Sequence, residues 1–249
     1  MTTEQHMRRE ARHLALPQIG AEGQAKIASS TALLIGMGGI GCASASYLAS
    51  SGVGRLLLCD FDTVDETNLG RQILYKPADI GKLKVSQAAA SLAELNPDIT
   101  LVQIPDRLED SALRDAVQGA DAVLDGCDNF ATRFQVNKAC VAVGRALISA
   151  SAIRFEAQLA LFGPDYAVSP CYRCLYSEAD ESLDNCAGNG VLAPVPGVAG
   201  AMMAVEALKY LSGNGIDSGT LSLYDARANQ WRKVAIPKRA ECPICRPSR

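Results

Sequence analysis

A glycine-rich turn between two apolar segments constrains the fold of this chain more than any other feature. Residues 32–35 form an apolar run that is followed at once by Gly36, Gly38 and Gly41 in the pattern G-x-G-x-x-G. Such a run is typical of a strand buried on both faces of a parallel sheet. Small residues after Gly41 favour a helix close to that sheet, and residues 56–59 form the next apolar run. The segment therefore predicts a strand, a tight turn, a helix and a second strand.

An acidic residue at the end of the second run makes this unit a candidate nucleotide site. Asp60 lies nineteen residues after Gly41. Glycines allow backbone N–H groups to approach a phosphate at a helix N-terminus, and the acid can bind ribose hydroxyls. A glycine-rich turn can also serve ordinary packing of a helix on a strand, but the elements around this one favour nucleotide binding. The pattern by itself is most typical of dinucleotides.

The alternation of apolar and helix-like segments up to about residue 151 predicts a doubly wound, mainly parallel α/β sheet of the Rossmann-like kind. Beyond it, further strand patterns predict an antiparallel C-terminal extension, with one helix at residues 197–211. We expect a single domain with an N-terminal arm at 1–30, a nucleotide-binding part at 31–151 and a third part at 152–249. The predicted strands are 32–35, 56–59, 100–104, 122–124, 146–149, 158–162, 220–225 and 230–236.

The composition narrows the class of protein. Of the 249 residues, 48% are hydrophobic and 20% are charged, which is enough apolar content for a sizeable core. A net charge of −3 argues against a general nucleic-acid binder. The chain opens without a basic and apolar leader, and its longest weakly charged run, 191–211, contains prolines and charges that favour a buried helix over a membrane span. We therefore expect a cytoplasmic protein that binds neither nucleic acid nor membrane.

Charged side chains follow the predicted strands at the edge of the sheet where ligands bind. Asp60 and Asp128 each follow an apolar run, while Arg71 lies in the next loop and Lys84 at an expected helix start. Each charge alone would most often be a solvated surface residue. A dinucleotide's diphosphate needs little beyond the glycine turn, whereas an added Arg, a Lys and an acid able to hold Mg²⁺ suit a triphosphate. The constellation therefore favours a triphosphate.

These motifs together resemble the MoeB/ThiF/HesA family, the bacterial relatives of ubiquitin-activating enzymes. The resemblance covers nearly the whole chain, from Arg12 and His13 to the cysteine pair at 242–245. The positions that this family would use to bind the nucleotide are Gly36, Gly38, Gly39, Gly41, Asp60, Asp62, Asn68, Arg71, Gln72, Lys84, Asp128 and Asn129.

The resemblance implies a reaction and its participants. The reaction is ATP-dependent adenylylation of the C-terminal glycine of a small ubiquitin-like sulfur-carrier protein that ends in Gly-Gly. Molybdopterin, thiamine or a related thiolated metabolite would be the end product of the pathway. The family also implies a homodimer, and a cysteine desulfurase or a sulfurtransferase is a further partner that it allows.

The same resemblance assigns roles to individual residues. Asp60 would hold the ribose, and Asp128 would bind Mg²⁺. Asn68 would bind the phosphates together with Arg71 and Lys84. Arg12 would reach the phosphates in the partner subunit's site. The implied catalytic residues are Arg12, Arg71, Lys84, Asp128 and Cys186.

The chemistry of a glycine carboxylate supports this reaction independently. The chain has two histidines, His6 and His13, and both lie in the N-terminal arm, so a histidine base deeper in the sheet is lacking. An α-carboxyl group has a reference pKa of roughly 3.5 and is already ionised at neutral pH. It can attack the α-phosphate without a base, and it needs alignment and neutralisation of phosphate charge instead.

Two C-x-x-C pairs predict a structural metal centre. The pairs are Cys171 with Cys174 and Cys242 with Cys245, and each adjoins a proline that suits a tight turn. Four thiolates in this pattern suit tetrahedral Zn²⁺ with no open position. Two disulfides are the alternative, which the expected reducing compartment disfavours. The metal would join the C-terminal tail to the middle of the chain.

The other cysteines divide into two groups. Cys42, Cys59, Cys127 and Cys140 lie among apolar or small residues and are predicted to be small core residues. Cys186 lies in a polar segment. The resemblance implies that Cys186 forms a thioester or an acyl disulfide with the carrier, and an incidental loop thiol is the alternative.

Two other functions stay open at this point. A nicotinamide-dependent oxidoreductase would explain the glycine turn and Asp60, but would leave Arg71, Lys84 and Asp128 without roles. A zinc-stabilised scaffold could bind a nucleotide without catalysing a reaction.

Overall fold

A single eight-stranded sheet forms the centre of the protein. The computed structural model describes residues 3–176 and 190–246, with side chains from residue 9 onward. The strands follow one another across the sheet in the order β3-β2-β1-β4-β5-β6-β7-β8. Their bounds are β1 Thr31–Ile35, β2 Arg55–Cys59, β3 Thr100–Ile104, β4 Ala122–Asp125, β5 Ala146–Ile153, β6 Glu156–Phe162, β7 Thr220–Asp225 and β8 Gln230–Ala235.

The first five strands are parallel, which confirms the predicted doubly wound sheet. Strand β1 lies between β2 and β4, so the strand order reverses beside it. In open α/β sheets, ligands bind beyond the carboxyl ends of the strands at such a reversal. The topology therefore places the glycine-rich turn, which follows β1, at the position where a ligand site is expected.

The last three strands form the predicted antiparallel extension. Strands β5 and β6 extend beyond their predicted ends because they pair with each other as a hairpin, with Ile153 opposite Glu156. Strand β8 forms an exposed edge of the sheet.

Helices cover both faces of the sheet. Consecutive residues of a buried strand point to opposite faces, and accordingly Leu34 and Leu33 belong to two different core clusters. The first cluster lies under α3, α4 and α8, and the second under α5 and α6. The helices are α1 Thr3–Leu14, α2 Gly20–Ser29, α3 Gly39–Ser50, α4 Lys84–Leu95, α5 Asp110–Gln118, α6 Phe130–Val143, α7 Tyr172–Leu175 and α8 Pro194–Lys209.

Helix α8 differs in its bounds from the predicted helix at 197–211. It begins at Pro194, because proline fits the first turn of a helix, where its missing N–H has no partner in any case. A π-helical turn at Tyr210–Asn214 follows, in which Gly213 has a φ of 93°. Among the residues that the structure describes, none of the helices is long and apolar enough to span a membrane.

The N-terminal arm is packed on the domain through specific hydrogen bonds. Arg9 Nη1 donates to the carbonyl of Leu95 at 2.9 Å, at the end of α4. His13 Nδ1 and Gln24 Oε1 lie 3.0 Å apart, and Gln24 Nε2 donates to the carbonyl of Ser51 at 2.9 Å. These contacts join α1 to α2 and to the end of α4, and they join α2 to the segment that follows α3.

The contact between α3 and α8 depends on Gly200. A Cβ atom at this position would lie 2.3 Å from the carbonyl oxygen of Ile40 and 2.8 Å from the Cβ of Ala43. The backbone of α8 therefore lies directly against α3, the helix that begins at the glycine-rich turn.

We predict that Gly200→Ala lowers the free energy of unfolding by about 1–3 kcal/mol, because the added methyl group overpacks this contact. The control is Gly197→Ala in the same helix, where a Cβ atom meets nothing within 4 Å. That change should be neutral or stabilising by up to about 1 kcal/mol, since alanine loses less backbone entropy in a helix. Urea denaturation measures both, and equal stabilities would contradict the close contact between α3 and α8.

Candidate active site

A cavity of about 340 Å³ lies beyond the carboxyl ends of the parallel strands. Its volume falls within the range of sites for small molecules. Every predicted nucleotide-binding residue except Gly41 lines it: Gly36, Gly38, Gly39, Asp60, Asp62, Asn68, Arg71, Gln72, Lys84, Asp128 and Asn129. Residues that are far apart in the sequence are thus brought together in one site.

The glycine-rich turn forms one wall, and three of its glycines leave little room for a side chain. Gly36 has a φ of +89°, and a Cβ atom on it would lie 3.1 Å from the backbone nitrogen of Cys127. A Cβ atom on Gly39 would lie 2.9 Å from Pro196 Cβ. Gly41 lies behind the wall, where a Cβ atom would lie 1.9 Å from the carbonyl oxygen of Gly36. Gly41 therefore brings α3 against the turn, while the other glycines line the cavity.

Asp60 joins the end of β2 to this turn. Its Oδ2 accepts a hydrogen bond from the backbone N–H of Met37 at 2.7 Å, and its Oδ1 accepts one from Asp62 at 2.9 Å. Burial raises the pKa of Asp60, while Lys84 and the two backbone donors oppose that rise. Each carboxylate oxygen can accept a second hydrogen bond. The same carboxylate can therefore hold the turn and accept a ribose hydroxyl.

Three cationic side chains line the same cavity from different segments. The Lys84 side chain is 8% exposed, and its Nζ lies 2.9 Å from Oδ2 of Asp62, which is 52% exposed. Arg71 Nη1 donates to the carbonyl of Thr67 at 2.9 Å. Arg107, which the sequence reasoning missed, lies over the ring of Phe61 at 4.6 Å from its centroid. The sequence could have indicated Arg107, because it follows the end of β3 much as Asp60 follows β2.

A fourth cation, Arg133, is held in place by backbone carbonyls just after β4 and in β5. Its Nη2 donates to the carbonyls of Cys127 and Ala150. Burial disfavours the charged guanidinium, but the carboxylate of Asp125 together with Cys127 and Tyr172 outweighs this, and the pKa of Arg133 is raised. Asp125 is itself held by the Ser149 hydroxyl at 2.9 Å. Sequence reasoning gave Arg133 no role, although it lies one helical turn after Asn129 on α6.

Two polar side chains in the cavity wall are free to receive a ligand. Asp128 is exposed and has no hydrogen bond or ion pair within the described part of the chain. Gln72 is buried, and its Oε1 has no hydrogen-bond partner among the described residues. Asn129 differs, since its side chain caps α6 by accepting from the Thr132 N–H at 2.9 Å.

Only one group of three or more potential metal ligands occurs among residues 9–176 and 190–246, and it is the cysteine cluster. Mg²⁺ usually takes one or two carboxylates and completes its coordination with substrate phosphates and water. Asp128 in the cavity therefore fits a magnesium ion that arrives with a nucleotide.

The two C-x-x-C pairs meet in the structure. The sulfur atoms of Cys171 and Cys242 lie 3.7 Å apart, and those of Cys174 and Cys245 lie 3.5 Å apart. All four sulfurs are buried and lie within 4.8 Å of one another. A tetrahedral zinc ion with bonds of about 2.3 Å separates its sulfur ligands by about 3.8 Å. The four residues therefore fit a tetrahedral metal ion.

The remaining predicted residues differ in where they lie relative to the cavity. Arg12 is exposed at the end of α1 and does not line the cavity of its own chain. Cys186 lies outside the described residues. Cys127, predicted to be a core residue, is half-buried and lines the cavity, because it follows β4 directly. Cys42, Cys59 and Cys140 are buried as predicted.

Comparison with known proteins identifies relatives over almost the full chain. The chain is 45% identical over 237 residues to the "Sulfur carrier protein ThiS adenylyltransferase" of Escherichia coli K12, which covers 95% of this chain and 94% of that protein. It is 40% identical over 245 residues to the "Molybdopterin-synthase adenylyltransferase" of Salmonella typhimurium LT2, which covers 98% of each.

A solved structure, that of E. coli MccB with ATP, is similar in fold. Its TM-score is 0.78 at 25% identity, and the match covers 90% of this chain and 68% of the other. The model of the ThiF family matches residues 10–244. This chain belongs to the ThiF family.

Proposed function

We propose that this protein is an ATP-dependent adenylyltransferase that activates the C-terminal glycine of a small ubiquitin-like sulfur-carrier protein. The observation that carries the proposal is the cavity, which joins a glycine-rich turn and several cations at the strand reversal with the carboxylate of Asp128, which has no partner among the described residues. The names of the two relatives, which act on a sulfur carrier and a molybdopterin synthase, support this substrate class.

The nucleotide would be held from three sides. Backbone N–H groups at the start of α3 are available to the phosphates, because Gly38 and Gly39 leave the turn open. Asp60 would accept the ribose hydroxyls. Asn68, Arg71, Gln72 and Lys84 would surround the phosphates, and Lys84 would exchange part of its contact with Asp62 for a phosphate oxygen.

The reaction needs alignment and charge neutralisation, not a base. An ionised oxygen of the carrier's terminal carboxylate forms a bond to the α-phosphorus. The bond from that phosphorus to the bridging oxygen breaks, and pyrophosphate leaves with the electron pair. No proton is taken from the carboxylate, which agrees with the absence of histidine from the cavity wall formed by the described residues. Mg²⁺ held by Asp128 would neutralise charge on the phosphates.

We predict that Asp128→Ala and Arg71→Ala each lower carrier-dependent ATP–pyrophosphate exchange by about 100-fold or more, because each removes charge stabilisation at the phosphates. Both side chains are at least partly exposed, so the variants should keep the wild-type melting temperature. Arg114→Ala, on the exposed face of α5, is the matched control and should keep full activity. Exchange at the wild-type rate in either cavity variant would contradict its assigned role.

The choice between ATP and a nicotinamide cofactor can be tested directly. A ligand that binds only the native state raises the melting temperature by mass action. We expect ATP with Mg²⁺ to raise it and NAD to leave it unchanged. A scaffold without chemistry would show the ATP effect but no pyrophosphate exchange.

The four-cysteine cluster would hold structural Zn²⁺. A reducing compartment such as the cytoplasm would keep its thiols available to the metal. The ligands come from segments 71 residues apart, so the ion would hold the C-terminal tail on the rest of the domain.

We predict that Cys245→Ser loses zinc and lowers the melting temperature, since metal binding contributes directly to folding. Metal analysis of the purified protein measures the first effect and thermal denaturation the second. A chelator should lower the melting temperature of the wild type toward that of the variant and leave the variant unchanged. Wild-type protein purified without any bound metal would refute the proposal.

The third part of the chain, residues 152–249, would contribute the carrier-binding surface together with the metal centre. After adenylylation the Cys186 sulfur would attack the acyl carbon of the carrier's adenylate, so that a thioester forms and AMP leaves. A cysteine desulfurase or sulfurtransferase would supply the sulfur. If so, Cys186→Ala keeps pyrophosphate exchange and loses only the later transfer.

The protein would act as a homodimer in which Arg12 completes the partner subunit's cavity. Its exposure at the end of α1, outside the cavity of its own chain, supports an action in trans. An arginine supplied by a second subunit can stabilise charge that develops on phosphates. Two-fold symmetry would then form two composite sites.

We predict that Arg12→Ala and Asp128→Ala are each inactive alone and recover about a quarter of wild-type activity when mixed under subunit exchange. About half of the dimers would be hybrid, and each hybrid would have one intact and one doubly altered site. The control mixes Arg71→Ala with Asp128→Ala, which line the cavity of the same chain and should recover nothing. If hybrid dimers form in the first mixture and remain inactive, Arg12 does not act in the partner's site.

A further inference from the structure

Helix α6 connects the cavity to the four-cysteine cluster. Asn129 caps its first turn, Arg133 lines the cavity and Asn137 follows one turn later. Residues four apart lie on one face of a helix, and eight residues span about 12 Å. One face of α6 therefore bears cavity residues at its beginning and Asn137 further along.

Both polar atoms of the Asn137 amide make hydrogen bonds to the segment of the first cysteine pair, Cys171 and Cys174. It is fully buried. Its Oδ1 accepts from the backbone N–H of Tyr172 at 2.8 Å, and its Nδ2 donates to the sulfur of Cys171 at 3.7 Å. The Tyr172 N–H can only donate, so the amide oxygen must face it and the NH₂ group must face the sulfur. A donor in that position suits a metal-bound thiolate.

Two residues of α6 that precede Asn137 contact this region and the cavity wall respectively. Phe134 contacts the ring of Tyr172 edge-on, with centroids 5.8 Å apart. Arg133 is fixed in the cavity wall by the carbonyls of Cys127 and Ala150. A shift of the first cysteine pair would therefore reach the cavity through α6, and the Asn137 amide is a polar contact between them, beside the interaction of Arg133 with Tyr172.

We propose that Asn137 is a positioning residue that couples the metal centre to the nucleotide cavity. It transmits occupancy of each site to the other through α6. A coupling between two binding sites is reciprocal, so metal at the cysteines tightens ATP binding and ATP in the cavity tightens binding of the metal by the same factor. We expect the tighter binding of the metal to appear as slower release. The inference rests on the proposed function only in taking zinc and ATP as the two ligands.

The test measures zinc release from the zinc-loaded protein into excess chelator, with and without ATP and Mg²⁺. In the wild type we expect ATP to slow release by about fivefold or more, as typical couplings do. Asn137→Asp keeps an acceptor for the Tyr172 N–H but presents an oxygen to the sulfur in place of a donor. We expect it to release zinc at least about tenfold faster, to lose the ATP effect and to bind ATP more weakly.

The matched control is Asn96→Ala. Asn96 is 3% exposed and its Nδ2 donates to the carbonyl of Ala49 at 2.7 Å, at the ends of α3 and α4 remote from the cavity. This variant loses a comparable buried hydrogen bond, so it should lose stability but keep the wild-type release rate and the ATP effect. An equal change of zinc release in both variants would mean that Asn137 has only a general structural role.

Two further outcomes would overturn the inference. One is Asn137→Asp with the wild-type release rate or an unchanged ATP effect. The other is wild-type protein in which ATP does not alter release, and this result decides the question even where the Asp variant fails to fold. Pyrophosphate exchange by the wild type, measured in parallel, separates the two proposals. Coupling without exchange refutes only the proposed function, and exchange without coupling refutes only the role of Asn137.

Discussion

The close approach of α3 to the end of β1 is the contact on which the rest of the site depends. It exists because Gly41 lacks a side chain, where even a methyl group would overlap the carbonyl of Gly36. The peptide groups of Met37, inside this turn, are then satisfied from other segments: Asp60 accepts from its N–H, and the Tyr75 hydroxyl donates to its carbonyl at 2.7 Å. The turn is thus fixed before any ligand binds, which gives its N–H groups a constant direction.

The charges around the turn are held in the same manner. Lys84 is paired with Asp62, and Arg133 is bound by two backbone carbonyls near the buried Asp125. Removing charges from water is costly unless they are paired and hydrogen-bonded. Donors fixed in a partly dry site need no reorganisation as charge moves from the α-phosphate to the departing pyrophosphate. The arrangement therefore fits a reaction that depends on electrostatics and requires no base.

The sequence was sufficient to predict the sheet and most of the cavity wall, because both follow from local periodicity and from residues directly after strands. The glycines, Asp60 and Asp128 are of this kind. It was not sufficient for Arg133 or Asn137, since their roles depend on how α6 faces the sheet and the cysteine pairs. Gly41 shows a second limit, because the motif does not distinguish a glycine that lines the cavity from one that packs behind it.

The C-terminal tail shows why the cysteine pairs can meet across so much of the chain. Lys238 Nζ donates to the carbonyls of Tyr166 at 2.6 Å, Ser169 at 3.1 Å and Cys245 at 2.8 Å. One ammonium group thus joins the tail to the segment just before the first cysteine pair, and it also lies 3.3 Å from the sulfur of Cys245. A positive charge there would partly neutralise the net negative charge of four thiolates around a divalent ion. The protein consequently orders the four cysteines through its own contacts, so that a metal ion would complete a geometry that the fold has largely prepared.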